Sequence, residues 1–215
     1  MEKAIVFDMD GVIIESEPLY RIAASNVVSR YGGIYTEEIG KKEMGLGIID
    51  ASKVIIQETG INSTPESFSR EYIEEYLKVS EKLLSKNKGI DELIDYVKTR
   101  YRIAVASSTN IRVVEILLKK INLYDKFEYL IGGDMVSKAK PAPEIYLRAS
   151  SKINILPENC IAIEDSVNGA ISALNAGMKV FIVKHSLSEN LTFPESCIVF
   201  KNLTQIKHYL IDHEN

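Results

Sequence analysis

The stretch FDMDGVIIESE, residues 7–17, closes the first apolar run of the chain with two aspartates two positions apart and a glycine directly behind them. Side chains of an extended segment alternate between faces, so Asp8 and Asp10 point the same way and can share one site, and Gly11 lets the chain turn sharply. Two neighbouring carboxylates repel, which raises the pKa of one of them unless a cation is close. Asp-x-Asp-Gly is also a common turn. Its meaning therefore depends on what the rest of the chain brings to the same place.

Working outward, short β-branched runs recur at 4–7, 103–106, 129–131, 161–163, 180–183 and 198–200, separated by amphipathic stretches. That alternation predicts a parallel sheet with helices on both faces, an α/β fold. It is interrupted between residues 16 and 86, where helical periods at 18–31, 48–59 and 66–84 replace strands. Two connections, 12–16 and the polar, glycine-ended 85–89, flank this insertion. The expected division is an α/β core domain of residues 1–15 and 87–215 and an all-helical domain of 16–86. Two linkers beside the aspartates permit a hinge, and a hinge there suggests a lid.

The composition narrows the function. A chain of 215 residues with 46% hydrophobic and 26% charged residues can bury a core without disulfide or metal staples. A net charge of -4 offers no field that attracts nucleic acid or an anionic membrane, so any phosphate must be held by a local site. Cys160 and Cys197 have no His or Cys at metal-ligand spacing and read as buried thiols. The opening MEKAIVFDMD has four apolar residues before charge returns, so neither a signal peptide nor a membrane span is expected, and the cytoplasm is the expected compartment. His185, His208 and His213 lie apart from every motif and are expected in surface or loop positions. The run 203–209 reads as a closing helix that needs no partner subunit, so a monomer is expected.

Open parallel sheets bind ligands at the C-terminal edge of their strands. The first run ends in Asp8, the second in Ser107, and 160–163 in Glu164-Asp165, while Lys140 lies in the loop after 129–131, just ahead of Pro141-Ala142-Pro143. Four acids at one edge call for a hard divalent cation with oxygen ligands, and Mg²⁺ usually keeps waters and a substrate phosphate in its shell. Ser107-Ser108-Thr109-Asn110 precedes a helix with Ile111, Val114, Leu117, Leu118 and Ile121 on one face, and Asn110 is a good N-cap. Backbone amides at such a start, with a hydroxyl beside them, bind phosphate, and Lys140 supplies a point positive charge. Each element alone has an ordinary structural reading as a turn, a cap or a loop. Their conjunction, each after an apolar strand, points to phosphate chemistry.

The segments FDMDGV, VASS, KAKPAPEIY and IAIEDSVNGA together resemble the four motifs of the haloacid dehalogenase superfamily, over about residues 4–183. The helical insertion sits where members with a small cap carry theirs, and the chain is most similar to the subgroup of β-phosphoglucomutases and sugar-phosphate phosphatases. The resemblance implies a Rossmann-like three-layer core with a helical cap domain. It also implies that Asp8 is the nucleophile, forming an aspartyl-phosphate, and that Asp10 is the acid/base. Ser107, Ser108 and Lys140 would bind the phosphoryl group, Asp8, Asp10, Glu164 and Asp165 would hold Mg²⁺, and the cap loop Gly45, Leu46 and Gly47 would touch substrate. The implied partner is a small phosphorylated metabolite.

Asp10 sets the chain apart from members that cleave carbon-halogen or carbon-phosphorus bonds, which lack an acid there. Mutase-like members grip a second phosphate with cap cations. Here Ile48 stands at the position of the Arg, Tyr20 near that of the His, and Tyr72 and Glu74 around that of the Lys. Hydrolysis is therefore the expected activity, with a β-phosphoglucomutase-type reaction as the alternative if Arg70 turned inward. Receiver domains gather similar residues but are shorter and lack the insertion, and a protein that only binds would not need every motif residue.

Overall fold

The computed structural model describes residues 2–43, 45–184 and 191–213. By its internal contacts the chain divides into two compact units, Met1–Ile14 with Lys86–Asn215, and Glu15–Ser85.

The first unit is built on a six-stranded parallel sheet in the order β3-β2-β1-β4-β5-β6. Its strands are β1 (Ala4–Phe7), β2 (Arg102–Ala106), β3 (Tyr129–Ile131), β4 (Cys160–Glu164), β5 (Lys179–Val183) and β6 (Ile198–Phe200). Because both faces are covered, the strands read as unbroken apolar runs rather than alternating ones. Ala4, Val6, Ala104, Ala106, Ala162 and Val180 pack with buried residues of two helices, among them Ile145, Tyr146 and Ala149 and then Ala170 and Ala173. On the opposite face Phe7 meets Phe127 edge-on, and Phe181 meets Tyr209. The chain order runs outward from β1 through β2 to β3, then returns to β4 and continues to β6, so the order reverses between β1 and β4. Such a reversal opens a crevice at the C-terminal edge.

The second unit holds α1 (Glu17–Arg30), α2 (Glu37–Glu43), α3 (Ile48–Thr59) and α4 (Pro65–Leu83). Tyr20 stacks on Tyr76 with ring centroids 4.1 Å apart and meets Tyr72 edge-on, so these tyrosines serve helix packing, as their helical spacing suggests. The helix α2 carries no readable apolar period: of EEIGKKE only Ile39 is apolar, and the helix is held by packing on α3. No helix among the described residues is long and apolar enough to cross a membrane.

The remaining helices follow in chain order as α5 (Ile90–Val97), α6 (Ile111–Lys120), α7 (Glu144–Lys152), α8 (Val167–Asn175) and α9 (Leu203–Asp212). Cys160 is buried as expected, but Cys197 is only half-buried, a correction that follows from its place just ahead of the edge strand β6. His208 and His213 lie on and behind α9, the latter exposed and stacked on Tyr209, whereas His185 lies outside the described residues.

Candidate active site

Phe7 is level with Val105 of β2 and Ile163 of β4, so the residues that follow these strands emerge at one edge. Asp8 continues β1, its amide donating to the Ile163 carbonyl at 2.9 Å, and the Ser107 amide donates to the Ile131 carbonyl at 3.0 Å. Lys140, from the loop ahead of α7, reaches under this edge. Its ammonium lies 2.6 Å from Asp8 Oδ1, 2.7 Å from Glu164 Oε1 and 3.0 Å from the Ala106 carbonyl oxygen.

Glu164 ends β4 with no exposed surface. Besides Lys140, its Oε1 accepts from the Tyr146 hydroxyl at 2.7 Å. Its Oε2 accepts from the amides of Asp165 and Ser166 and from the Ser166 hydroxyl at 3.0 Å. Ser166 is also the N-cap of α8. Asp165 approaches the main chain of Gly11 so closely that a Cβ there would sit 1.9 Å from Asp165 Oδ2, and Gly11 has φ +77°. Glycine is required at that position on both counts.

Asp10 faces a different set of partners. Its Oδ2 accepts from the Thr109 hydroxyl at 2.9 Å and from Ser107 Oγ at 3.2 Å. The two aspartates of the opening stretch thus share the edge but divide it, Asp8 toward lysine and acids, Asp10 toward hydroxyls.

The electrostatics follow from burial. Desolvation pushes the Asp8 carboxyl well above the ordinary carboxylate range, opposed by Lys140 and reinforced by Glu164, Asp165 and Asp10. Burial also works against the charged form of Glu164, but the Lys140 charge and the hydrogen bonds from Lys140, Tyr146 and Ser166 hold it below its usual value. Burial likewise opposes the Lys140 charge, and Asp8 and Glu164 more than restore it.

Asp8, Glu164 and Asp165 each offer a carboxylate oxygen within 4.8 Å of the others. An all-oxygen set that is largely buried and carries excess negative charge suits a hard divalent cation. The Asp10 carboxylate is not part of that set, so any contribution of Asp10 to a metal is left to its main chain.

Of the residues singled out in the sequence, Asp8, Asp10, Ser107, Lys140, Glu164 and Asp165 come together here. Ser108 is exposed, and the hydroxyl contacts to Asp10 come from Ser107 and Thr109 instead. The helix start is also less open than its sequence suggests. The amide of Thr109 is taken by Ser107 Oγ, that of Ile111 by Asp134, and that of Arg112 by the N-cap Asn110. Gly45, Leu46 and Gly47 belong to the helical unit, where Gly47 precedes α3 in extended conformation and the Leu46 amide donates to the Glu43 carbonyl. Met44 of the same loop lies outside the described residues. Sequence reasoning missed Thr109, Tyr146 and Ser166. Thr109 was within reach of it, since it stands two positions from Ser107 as Asp10 does from Asp8.

Residues 5–183 match the family described as haloacid dehalogenase-like hydrolase. The chain belongs to that family. A Thermotoga maritima protein named phosphorylated carbohydrates phosphatase is 34% identical over 196 residues, which span 90% of this chain and 91% of its own. A crystal structure from Thermotoga maritima, provisionally named a beta-phosphoglucomutase, shares 32% identity and a TM-score of 0.80, covering 99% of this chain and 100% of its own. The structure of CbbY from Rhodobacter sphaeroides in complex with phosphate superposes with a TM-score of 0.88 over 96% of each chain at 24% identity, a likeness of fold. This family member is thus a hydrolase whose relatives are named as phosphatases. Phosphatases of the family generally use a divalent metal, and the buried acidic cluster accords with that.

Proposed function

We propose that this chain is a Mg²⁺-dependent phosphatase of small phosphomonoesters, sugar or polyol phosphates, acting through an aspartyl-phosphate on Asp8. The observation that carries the reading is the division of the edge: one carboxylate clamped by Lys140 beside Asp165, and a second held apart by Ser107 and Thr109. An Asp8 oxygen attacks phosphorus in line while the bond to the ester oxygen breaks. Asp10 gives its proton to that leaving oxygen. Asp10 then takes a proton from water as the water oxygen attacks phosphorus. The bond to Asp8 breaks and inorganic phosphate leaves.

Ser107 and Lys140 hold the transferring oxygens, since phosphoryl transfer depends chiefly on alignment and charge stabilisation. Asp8, Asp165 and the Asp10 main-chain carbonyl, with Glu164 closing the acidic set, would hold Mg²⁺, which when bound offsets their charge and that of the phosphoryl group.

The relative named for phosphorylated carbohydrates supports a sugar or polyol ester. Within the helical segment, read as the substrate-selecting cap, Tyr72 is buried with its hydroxyl between the Tyr20 carbonyl and Glu43, Arg21 is paired with Glu17 and Glu37, and Arg70 is exposed. An unpaired second phosphate is expensive to enclose, which favours hydrolysis of monophosphates over a bisphosphate-dependent mutase reaction. We place the protein in the cytoplasm.

The test is inorganic phosphate release from a panel of sugar, polyol and nucleotide monophosphates, with Mg²⁺ and with EDTA, for the wild type and Asp8→Asn. Release that needs Mg²⁺ and vanishes in the variant establishes the reading. Conversion of β-glucose 1-phosphate to glucose 6-phosphate on addition of a bisphosphate primer, without phosphate release, replaces it by the mutase.

A further inference from the structure

Tyr146 takes no part in the steps above, yet it stands at the centre of the site's polar contacts. It lies on α7 with no exposed surface, its ring among the buried residues that support the sheet. Its hydroxyl is 2.7 Å from Glu164 Oε1 and 3.4 Å from Lys140 Nζ, and the ammonium lies 5.0 Å from its ring centroid. A phenylalanine would fill the same apolar space. What tyrosine adds is a donor aimed at one carboxylate.

Both oxygens of that carboxylate accept hydrogen bonds. Oε1 meets Lys140 and Tyr146, and Oε2 the Asp165 amide, the Ser166 amide and the Ser166 hydroxyl. Gly169 of α8 packs against it so tightly that a Cβ there would sit 1.8 Å from Oε1. Lys140 in turn directs its ammonium at Asp8, Glu164 and the Ala106 carbonyl. Glu164 is thus one of three acceptors that direct Lys140, and Tyr146 is the donor beside Lys140 at Glu164 Oε1.

We propose that Tyr146 is a positioning residue for phosphoryl transfer: its hydroxyl fixes Glu164 and, through Glu164, aims the Lys140 ammonium at the Asp8 side of the site. The proposal rests on the reading of Asp8 as the phosphorylated residue. A donor that only satisfied a buried carboxylate would matter for stability alone. One that aims Lys140 matters most where charge on the phosphoryl oxygens is being moved, in the transition state.

The experiment compares wild type with Tyr146→Phe in four measurements: kcat and KM on the best ester of the panel, affinity for orthovanadate as a five-coordinate mimic, affinity for inorganic phosphate, and the crystal structure. Loss of one charge-assisted hydrogen bond predicts kcat and vanadate affinity both falling about tenfold or more, with KM and phosphate affinity within about twofold. It also predicts Lys140 displaced from Asp8 in the crystal. Unchanged kcat and vanadate affinity with a lowered melting temperature, or Lys140 still seated on Asp8 and Glu164, overturns the proposal. If Tyr146→Phe does not fold, 4-fluorophenylalanine at position 146 keeps the ring and fills the volume of the hydroxyl without its donor, leaves the acids untouched, and is read in the same way. A wild type that releases phosphate from no ester sinks the phosphatase reading, while the position of Lys140 in the variant crystal still decides the role of Tyr146.

Discussion

Lys140 Nζ lies 2.6 Å from Asp8 Oδ1, and the two side chains are only 6% and 8% exposed. The same ammonium lies 2.7 Å from Glu164, whose carboxyl is held below its usual value, so removing the lysine strands a buried charge in a medium that solvates it poorly, at a cost of about 3–5 kcal/mol. Lys140→Met is therefore expected to lower unfolding free energy by that order and to reduce kcat by about 10³-fold or more, as the phosphoryl oxygens lose their cation. Urea denaturation and phosphate release measure the two effects. Mg²⁺ should recover part of the stability, since it offsets the same acids, but little of the activity. A variant as stable as wild type without Mg²⁺ would show that neither acid beside this lysine depends on it for its charge.

Asp10 and Asp165 predict opposite phenotypes. The Asp10 carboxylate sits on Ser107 and Thr109, outside the oxygen cluster of Asp8, Glu164 and Asp165. Asp10→Asn should lower kcat by about 10²–10⁴-fold, the usual contribution of a general acid, while Mn²⁺ binding stays close to wild type. Asp165→Asn should weaken Mn²⁺ binding at least about tenfold, because one anionic oxygen ligand is lost. Titration followed by Mn²⁺ resonance separates them. Equal metal loss in both variants would place the Asp10 side chain at the ion.

The elements nearest the site were legible because their signals are local. β3 and β6 are bounded by polar residues and turns, and their ends match the apolar runs 129–131 and 198–200. α3 spans Ile48–Thr59 as its apolar period requires. α2 was not legible, since its seven residues hold two glutamates at the start, two lysines near the end and a glycine between them. In the site, each residue at a strand end could be placed from the order of the strands alone. What could not be read was which donors had already been claimed. Nothing in the sequence says that Asp134 takes the Ile111 amide 23 residues before it, or that α7 brings the Tyr146 hydroxyl onto Glu164 while its ring packs in the core. Those contacts depend on helix rotation, which periodicity fixes only to the width of a buried face.

Gly11→Ala is expected to damage stability and metal binding together. A methyl group there would meet Asp165 Oδ2 at 1.9 Å, and the positive φ of +77° adds backbone strain for any side chain. The strain is of order 1–3 kcal/mol, and the steric conflict must be relieved by moving the Asp165 carboxylate. The expected result is a lower melting temperature with a Mn²⁺ affinity that falls toward that of Asp165→Asn. Wild-type affinity in Gly11→Ala would mean that Asp165 can serve the ion from another position.

Glu43, at the end of α2, predicts how stability responds to pH. The Tyr35 hydroxyl donates to its Oε1 and the Tyr72 hydroxyl to its Oε2, with Glu17 and Arg21 the charged groups nearby. Burial pushes its carboxyl up to about 7, against the hydrogen bonds from Tyr35 and Tyr72 and the Arg21 charge. The folded form therefore binds a proton that the unfolded chain has already released. Its contribution is fully present below about pH 4.5 and is lost as pH rises through about 7, by up to about 3 kcal/mol at about 1.36 kcal/mol per unit. Urea midpoints of wild type and Glu43→Gln from pH 5 to pH 8 isolate this group, because the amide does not titrate. The wild type should lose stability relative to the variant across that range, most steeply between pH 5 and 7 and levelling off above it. Parallel curves would mean that the Glu43 carboxyl titrates at its ordinary value and that the two phenols hold it as a carboxylate.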